Sequence, residues 1–131
     1  MIDVRRDVPL RTEDVIRVFD DSGLIRPTDD PDRITRMFAA SNLVVSAWDG
    51  GVLVGVARAL TDFSYCCYLS DLAVAKSHQR QGVGKRLVDE VRHAIGEGST
   101  LILIAAPGAI AYYPKLGFAK SERAYVLQRT R

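Results

Sequence analysis

Hydrophobic positions change their spacing near Leu43. Before it they recur at helical intervals; after it they alternate or run together, until helical spacing returns at Gly84. Thr12 is the predicted N-cap of a helix that carries Val15, Ile16, Val18 and Phe19 and stops near Gly23. Asp30-Pro31 reads as a cap followed by a first-turn proline, and the helix behind it sets Ile34, Met37 and Phe38 on one face. Leu43 to Trp48 and Val52 to Leu60 then predict a hairpin closed at Asp49-Gly50-Gly51. Tyr65 to Val74 predicts a third long strand, and Ile2 to Arg6 a short edge strand.

The second half alternates strand and helix. Gly84 to Ile95 places Leu87, Val88, Val91, Ala94 and Ile95 on one helical face, and Gly96 and Gly98 end it. Thr100 to Ala106 is a continuous apolar run, the pattern of a strand covered on both faces. A short helix is predicted over Ala109 to Lys115, and one or two final strands from Phe118 through Tyr125-Val126-Leu127. The order is strand-helix-helix-strand-strand-strand-helix-strand-helix-strand-strand. It predicts an α/β fold: one mixed sheet of six or seven strands with helices on both faces, residues 1–131 forming a single domain.

Composition narrows the function classes. With 47% hydrophobic and 26% charged residues the chain is ordinary globular material. Its 18 Lys+Arg against 16 Asp+Glu leave a net charge of +2, too little for a broad nucleic-acid-binding face, so no nucleic-acid partner is expected. The N-terminal Met1-Ile2-Asp3-Val4-Arg5-Arg6 is charged where a signal peptide is apolar, and no apolar run is long enough to span a membrane. Cys66 and Cys67 are sequence neighbours whose side chains diverge on a strand; this argues against a disulfide scaffold and for the cytoplasm. With His78 and His93 isolated, no zinc spacing is present and no metal is expected.

Chemistry enters at the turn between the third long strand and the helix, Ala75-Lys76-Ser77-His78-Gln79-Arg80-Gln81-Gly82-Val83-Gly84-Lys85-Arg86-Leu87. Gly82 and Gly84 remove two Cβ atoms where the backbone enters the helix, so free N–H groups and the positive helix end make an anion site, with Arg80, Lys85 and Arg86 adding charge. A phosphate-bearing ligand is the direct reading. The Walker and dinucleotide glycine patterns both fail: Gln79 stands five residues before Gly84 and Leu87 three after it. A glycine turn with a basic helix start and no ligand is the other reading of these residues alone.

Gln79-Arg80-Gln81-Gly82-Val83-Gly84 resembles the Q/R-x-x-G-x-G/A signature of the GNAT superfamily of acyl-CoA-dependent N-acetyltransferases. Ala109-Ile110-Ala111-Tyr112-Tyr113-Pro114-Lys115-Leu116-Gly117-Phe118 resembles that family's A-x-x-F-Y-x-x-x-G-F segment, and Leu69-Ser70-Asp71-Leu72-Ala73-Val74 the strand that enters the signature. The resemblance implies acetyl-CoA as cosubstrate. Its pyrophosphate would lie on backbone N–H groups of Gln79, Arg80, Gln81, Gly82, Val83, Gly84 and Lys85, and its pantetheine arm along Leu72, Ala73 and Val74. That pairing needs the strand containing Leu72 to splay from the next one.

The implied reaction is direct attack of a primary amine, on a small molecule or a peptide, at the thioester. The backbone N–H of Leu72 is the oxyanion donor and Tyr113 the general acid toward the leaving thiolate, close enough to touch the cofactor. Tyr68, Ser70 and Asp71 are the proton-transfer candidates: Tyr68 stands where some members carry a glutamate, Ser70 shares its face, and Asp71 is the nearest carboxylate, on the opposite face unless a bulge intervenes. Solvent water is the alternative base. Tyr112 is expected to pack. Ala106 stands where many members have asparagine, and Pro114 should kink the short helix that aims Tyr113. Gly23 to Asp30 is the expected acceptor wall, with Arg26 available to a carboxylate and Asp29 or Asp30 to an amine, and Phe63, Tyr65 and Tyr68 could line an aromatic acceptor pocket or fill the sheet. The resemblance also suggests a homodimer. A binding module that senses acyl-CoA without turnover is the alternative function.

Overall fold

The computed structural model describes residues 1–130. Its strands are β1 (Ile2–Arg6), β2 (Leu43–Asp49), β3 (Val52–Thr61), β4 (Cys66–Val74) and β5 (Thr100–Leu103). Its helices are α1 (Thr12–Ser22), α2 (Pro31–Ala39) and α3 (Val83–Ile95). The strands form one sheet in the order β1-β2-β3-β4-β5; β1 to β4 are antiparallel neighbours and β5 is parallel to β4.

Each face of the sheet has its own core. On one side α3 sets Val83, Leu87, Val88, Val91 and Ile95 against Leu43, Val45, Ala57, Ala59, Cys67 and Leu69. On the other, Val15, Val18 and Phe19 of α1 and Ile34 of α2 pack with Leu53, Val56 and Ala73. Each of the larger of these buried side chains contributes about 1.5–3 kcal/mol relative to exposure, which is why the amphipathic helices settle on opposite faces. Asp30 caps α2 as predicted, accepting from the Arg33 N–H at 3.1 Å with Pro31 behind it. Gly23 (φ +87°) ends α1. Thr12 is not the cap of α1: it is the first helical residue behind Arg11, and its hydroxyl bonds to Thr35 at 2.7 Å.

Beyond α3 the chain departs from expectation. The sheet has five strands, not six or seven. The apolar run from Thr100 forms a strand only to Leu103, and Ile102 and Ile104 are about half exposed, because no helix covers their face of β5. Two short 3-10 turns, Pro107–Ala109 and Tyr113–Leu116, replace the predicted helix; Pro107 and Pro114 each sit at the start of one, where a missing N–H costs nothing. Residues 119–130 form no strand on their own sheet.

Candidate functional site

The site begins where β4 outruns its partner. β4 and β5 pair from Cys66–Thr100 to Leu69–Leu103, and there the ladder stops while β4 continues to Val74. Opposite β3 the register shifts between Arg58 and Ala59, leaving Ser70 as a one-residue bulge on β4. Past the bulge, the bond from the Ala75 N–H to the Val54 carbonyl (2.8 Å) fixes the alternation of the ladder. Ala73 turns its backbone groups to β3, whereas Leu72 and Val74 turn theirs to the open side. β4 thus runs five residues past the end of its ladder with β5. Of the three candidates along this strand, Leu72 and Val74 offer backbone to a ligand and Ala73 does not. The Gln79 side-chain amide already donates to the Val74 carbonyl at 2.8 Å.

β4 leads into a 3-10 turn, Lys76–His78, tied down on three sides. The Lys76 N–H donates to Asp21 (2.7 Å), and the His78 ring bonds to Asp49 (2.8 Å) and Ser77 (2.7 Å). Held this way, the chain takes two left-handed steps, at Arg80 (φ +63°) and Gly82 (φ +81°), before α3 starts at Val83. Alternation of this kind turns successive N–H groups toward one concavity. Among the described residues the N–H groups from Arg80 to Lys85 have no acceptor, and a Cβ on Gly82 would meet nothing within 4 Å. Arg80 is free at the rim. Gln81 bonds back to the Ser77 carbonyl (3.1 Å), Lys85 pairs with Asp89 (2.7 Å), and Arg86 reaches the Ile2 carbonyl (2.9 Å), away from the turn. The expected basic cluster thus loses Arg86.

The bulge at Ser70 also redraws the proton-transfer candidates. It brings Tyr68 and Asp71 to the same face of β4, the one under α1 and α2. Asp71 is fully buried there, with one carboxylate oxygen on Arg58 Nε (2.5 Å) and the other on Arg26 Nε (2.5 Å). Arg58 further donates to the Ser70 hydroxyl (2.9 Å) and the Ser41 hydroxyl (3.0 Å) and lies over the Phe38 ring. Arg26 donates to the Ser70 carbonyl at 2.7 Å, so the loop after α1 is pinned to the point where β4 and β5 diverge. Both oxygens of Asp71 are thus engaged by arginines. Ser70 sits within the same network, and Tyr68 stands apart from it, part exposed on the open sheet.

Tyr113 opens the second 3-10 turn after β5 and packs edge-on between Tyr112 and Phe118, with ring centroids 5.3 and 5.6 Å away. Burial pushes its phenol above the ordinary tyrosine range, Tyr112 adds to this, and the Arg26 guanidinium opposes it. The phenol therefore keeps its proton at neutral pH. The Tyr112 hydroxyl reaches the first turn of α3: a Cβ on Gly84 would overlap it. Cys67 is buried, which pushes its thiol up, while Cys66 is exposed near Asp62. Among the described residues no cluster of His, Cys, Asp or Glu could hold a metal ion, and no helix is long and apolar enough to cross a membrane.

An acetyltransferase (GNAT) domain model matches residues 19–128, most of the chain. The chain belongs to the GNAT acetyltransferase family. Among curated proteins it is similar to ycf52 of Pyropia yezoensis, an uncharacterized N-acetyltransferase, at 38% identity over 72 residues; the match spans 52% of this chain and 40% of that protein's length. Among solved structures, a protein of unknown function from meticillin-resistant Staphylococcus aureus, described as a probable acetyltransferase, superposes with a TM-score of 0.84 at 24% identity over 100% of this chain and 99% of the other. The aminoglycoside N-acetyltransferase AAC(6')-Iy, solved with CoA, superposes with a TM-score of 0.74 at 20% identity over 100% and 96%. At such identities the structures speak to the GNAT fold alone.

Three residues of this GNAT site escaped the sequence reading: Arg58, Tyr112 as a neighbour of Gly84, and Arg26 as a partner of Asp71. Arg58 had a signal. A charged residue inside the apolar stretch Val52–Ala59 needs a buried counter-charge, and Asp71 inside Leu69–Val74 is the matching carboxylate.

Proposed function

We propose that the chain transfers an acetyl group from acetyl-CoA to a primary amine by direct attack at the thioester. The observation that carries this reading is a run of backbone groups turned away from the chain's own ladders: those of Leu72 and Val74 on the open side of β4, the Val74 carbonyl held by Gln79, and the N–H groups from Arg80 to Lys85 at the start of α3. Such a run suits a ligand with an extended amide-bearing arm and a doubly charged phosphate end. The CoA complexes of AAC(6')-Iy support it by fold analogy.

In this reading the N–H groups from Gln81 to Lys85 hold the pyrophosphate, with Gly82 and Val83 at its closest approach, and Arg80 closes the rim. Gln79 orders Val74 at the edge of the arm. The Leu72 N–H faces the thioester oxygen and stabilises the tetrahedral oxyanion. Tyr113, protonated at neutral pH, donates to the departing thiolate. With Asp71 committed to two arginines, the ammonium proton of the acceptor leaves to solvent water. The acceptor, a small molecule or a peptide amine, approaches past the loop that carries Arg26.

Thiol release from acetyl-CoA, followed across a panel of amines, tests the reading. Amine-dependent release is expected, and Tyr113→Phe should lower turnover on the order of 10²-fold with little change in cofactor affinity. Bound acetyl-CoA with no release from any amine would favour an acyl-CoA-sensing module instead.

A further inference from the structure

The charges under β4 do not balance. Among the described residues Asp71 is the only carboxylate within ion-pair distance of Arg26 or Arg58, so two guanidinium groups share one negative charge and a positive charge is left over. Arg58 is enclosed, with its Nε on Asp71 and its terminal nitrogens on the Ser41 and Ser70 hydroxyls. Arg26 is not. Its side chain is 25% exposed. Its bonds to Asp71, the Ile25 carbonyl and the Ser70 carbonyl leave one N–H uncommitted on each terminal nitrogen. Its charge also acts on the Tyr113 phenol. A half-buried cation with spare donors and no counter-charge of its own is a place for an anion.

On the same face of the sheet, the next row toward the β3–β4 turn is apolar. Leu60, Tyr68 and Ile102 are in register across three strands, are 42%, 41% and 48% exposed, and belong to neither core. At about 3.3 Å of rise per strand residue, Tyr68 lies on the order of 10 Å along β4 from Leu72. Ser70, whose carbonyl anchors Arg26, stands between them. One strand therefore carries three levels: the backbone N–H assigned to the thioester, the surplus cation, and an apolar shelf.

We propose that the acceptor is a free α-amino acid with a large apolar or aromatic side chain. Its amine meets the thioester, its carboxylate takes the spare N–H groups of Arg26, and its side chain lies over Leu60, Tyr68 and Ile102. The single surplus charge matches a carboxylate, whereas a phosphate dianion would stay half neutralised. A peptide N-terminus would bring a neutral amide to the place where the cation needs an anion. This inference rests on the acetyl-transfer reading for the position of the amine.

Calorimetry on the chain saturated with coenzyme A tests it with two products that differ only in the carboxylate, N-acetyl-L-phenylalanine and N-acetylphenethylamine. The acid should bind about 10- to 100-fold more tightly, as expected for charge-assisted hydrogen bonds. Arg26→Gln leaves Asp71 its bond to Arg58, so the fold should persist. It should weaken the acid and not the neutral ligand; a purely structural role for Arg26 would weaken both alike. N-Acetylglycine should bind at least about tenfold more weakly than N-acetyl-L-phenylalanine, and Tyr68→Ala should narrow that gap. Equal affinity of the parent chain for the acid and the neutral ligand, or a preference that survives Arg26→Gln, would overturn the proposal. Thiol release judges acetyl transfer separately, and L-phenylalanine should lead phenethylamine, glycine and phenylalanylglycine. Selective binding without release from any amine would refute acetyl transfer and leave the amino-acid site standing. Release led by phenethylamine would refute the amino-acid site and leave acetyl transfer standing.

Discussion

Gly84 is constrained from the side rather than by its own backbone. Its neighbour is the Tyr112 hydroxyl, and that contact joins the start of α3 to the turn that also carries Tyr113. Gly84→Ala must push this phenol away, an overpacking cost of about 1 kcal/mol because the displaced atom is the far end of a side chain. The expected result is a lower urea midpoint and weaker coenzyme A binding together, since the shifted ring crosses the mouth of the anion turn. Tyr112→Phe removes the clashing oxygen. In that background Gly84→Ala should be nearly neutral, and equal costs in both backgrounds would show that the contact is not what selects glycine. Asp71 illustrates the opposite kind of constraint. Alternation along β4 puts it on the face away from Ser70, and the single extra residue at Ser70 reverses that, burying the carboxylate between Arg26 and Arg58. A period of two is visible in a sequence; the insertion of one residue into a ladder is set by the partner strand and is not.

At the scale of elements, the β3–β4 connection has the clearest electrostatic signature. Asp62 Oδ1 accepts from the N–H groups of Ser64 (2.9 Å), Tyr65 (2.8 Å) and Cys66 (3.1 Å). The Tyr65 bond leads these in lowering its pKa from the ordinary 3.8 to about 2. The folded-state value lies below the unfolded one, so the stabilisation is present above pH 3.8 and is lost as pH falls toward 2. Urea midpoints should fall across that window in the parent chain by more than in Asp62→Ala, which lacks the capping carboxylate at every pH; parallel declines would remove Asp62 as the cause. The elements themselves were legible wherever periodicity and punctuation agreed. Asp30-Pro31 marks α2, Gly82 and Gly96 bracket α3, and Asp49-Gly50-Gly51 closes the hairpin. Legibility failed after Leu103, where an apolar run does not say which of its faces is covered. Residues 124–127 have a strand's composition, but pairing is a property of two segments, and in the structure they join no strand of the sheet.

For the molecule as a whole, the cofactor reading makes a thermodynamic demand. A ligand that binds only the folded state stabilises it by mass action, about 2.7 kcal/mol at a concentration one hundred times its dissociation constant. For a chain of 131 residues that is a rise in Tm of about 10 °C. Coenzyme A at such a concentration should produce it, and pantetheine, which lacks the pyrophosphate, should produce little of it. Gly82→Glu separates the ligand from the fold. At φ +81° any side chain carries a local cost of about 1–2 kcal/mol, so the unliganded variant should melt a few degrees lower. The new side chain meets no protein atom, however, because the space above Gly82 is open, and its carboxylate would stand among the N–H groups assigned to the pyrophosphate. The variant should therefore remain folded and lose the coenzyme A shift entirely. A full shift in Gly82→Glu would move the phosphate site off this turn, and with it the reason for reading the open side of β4 as a cofactor groove.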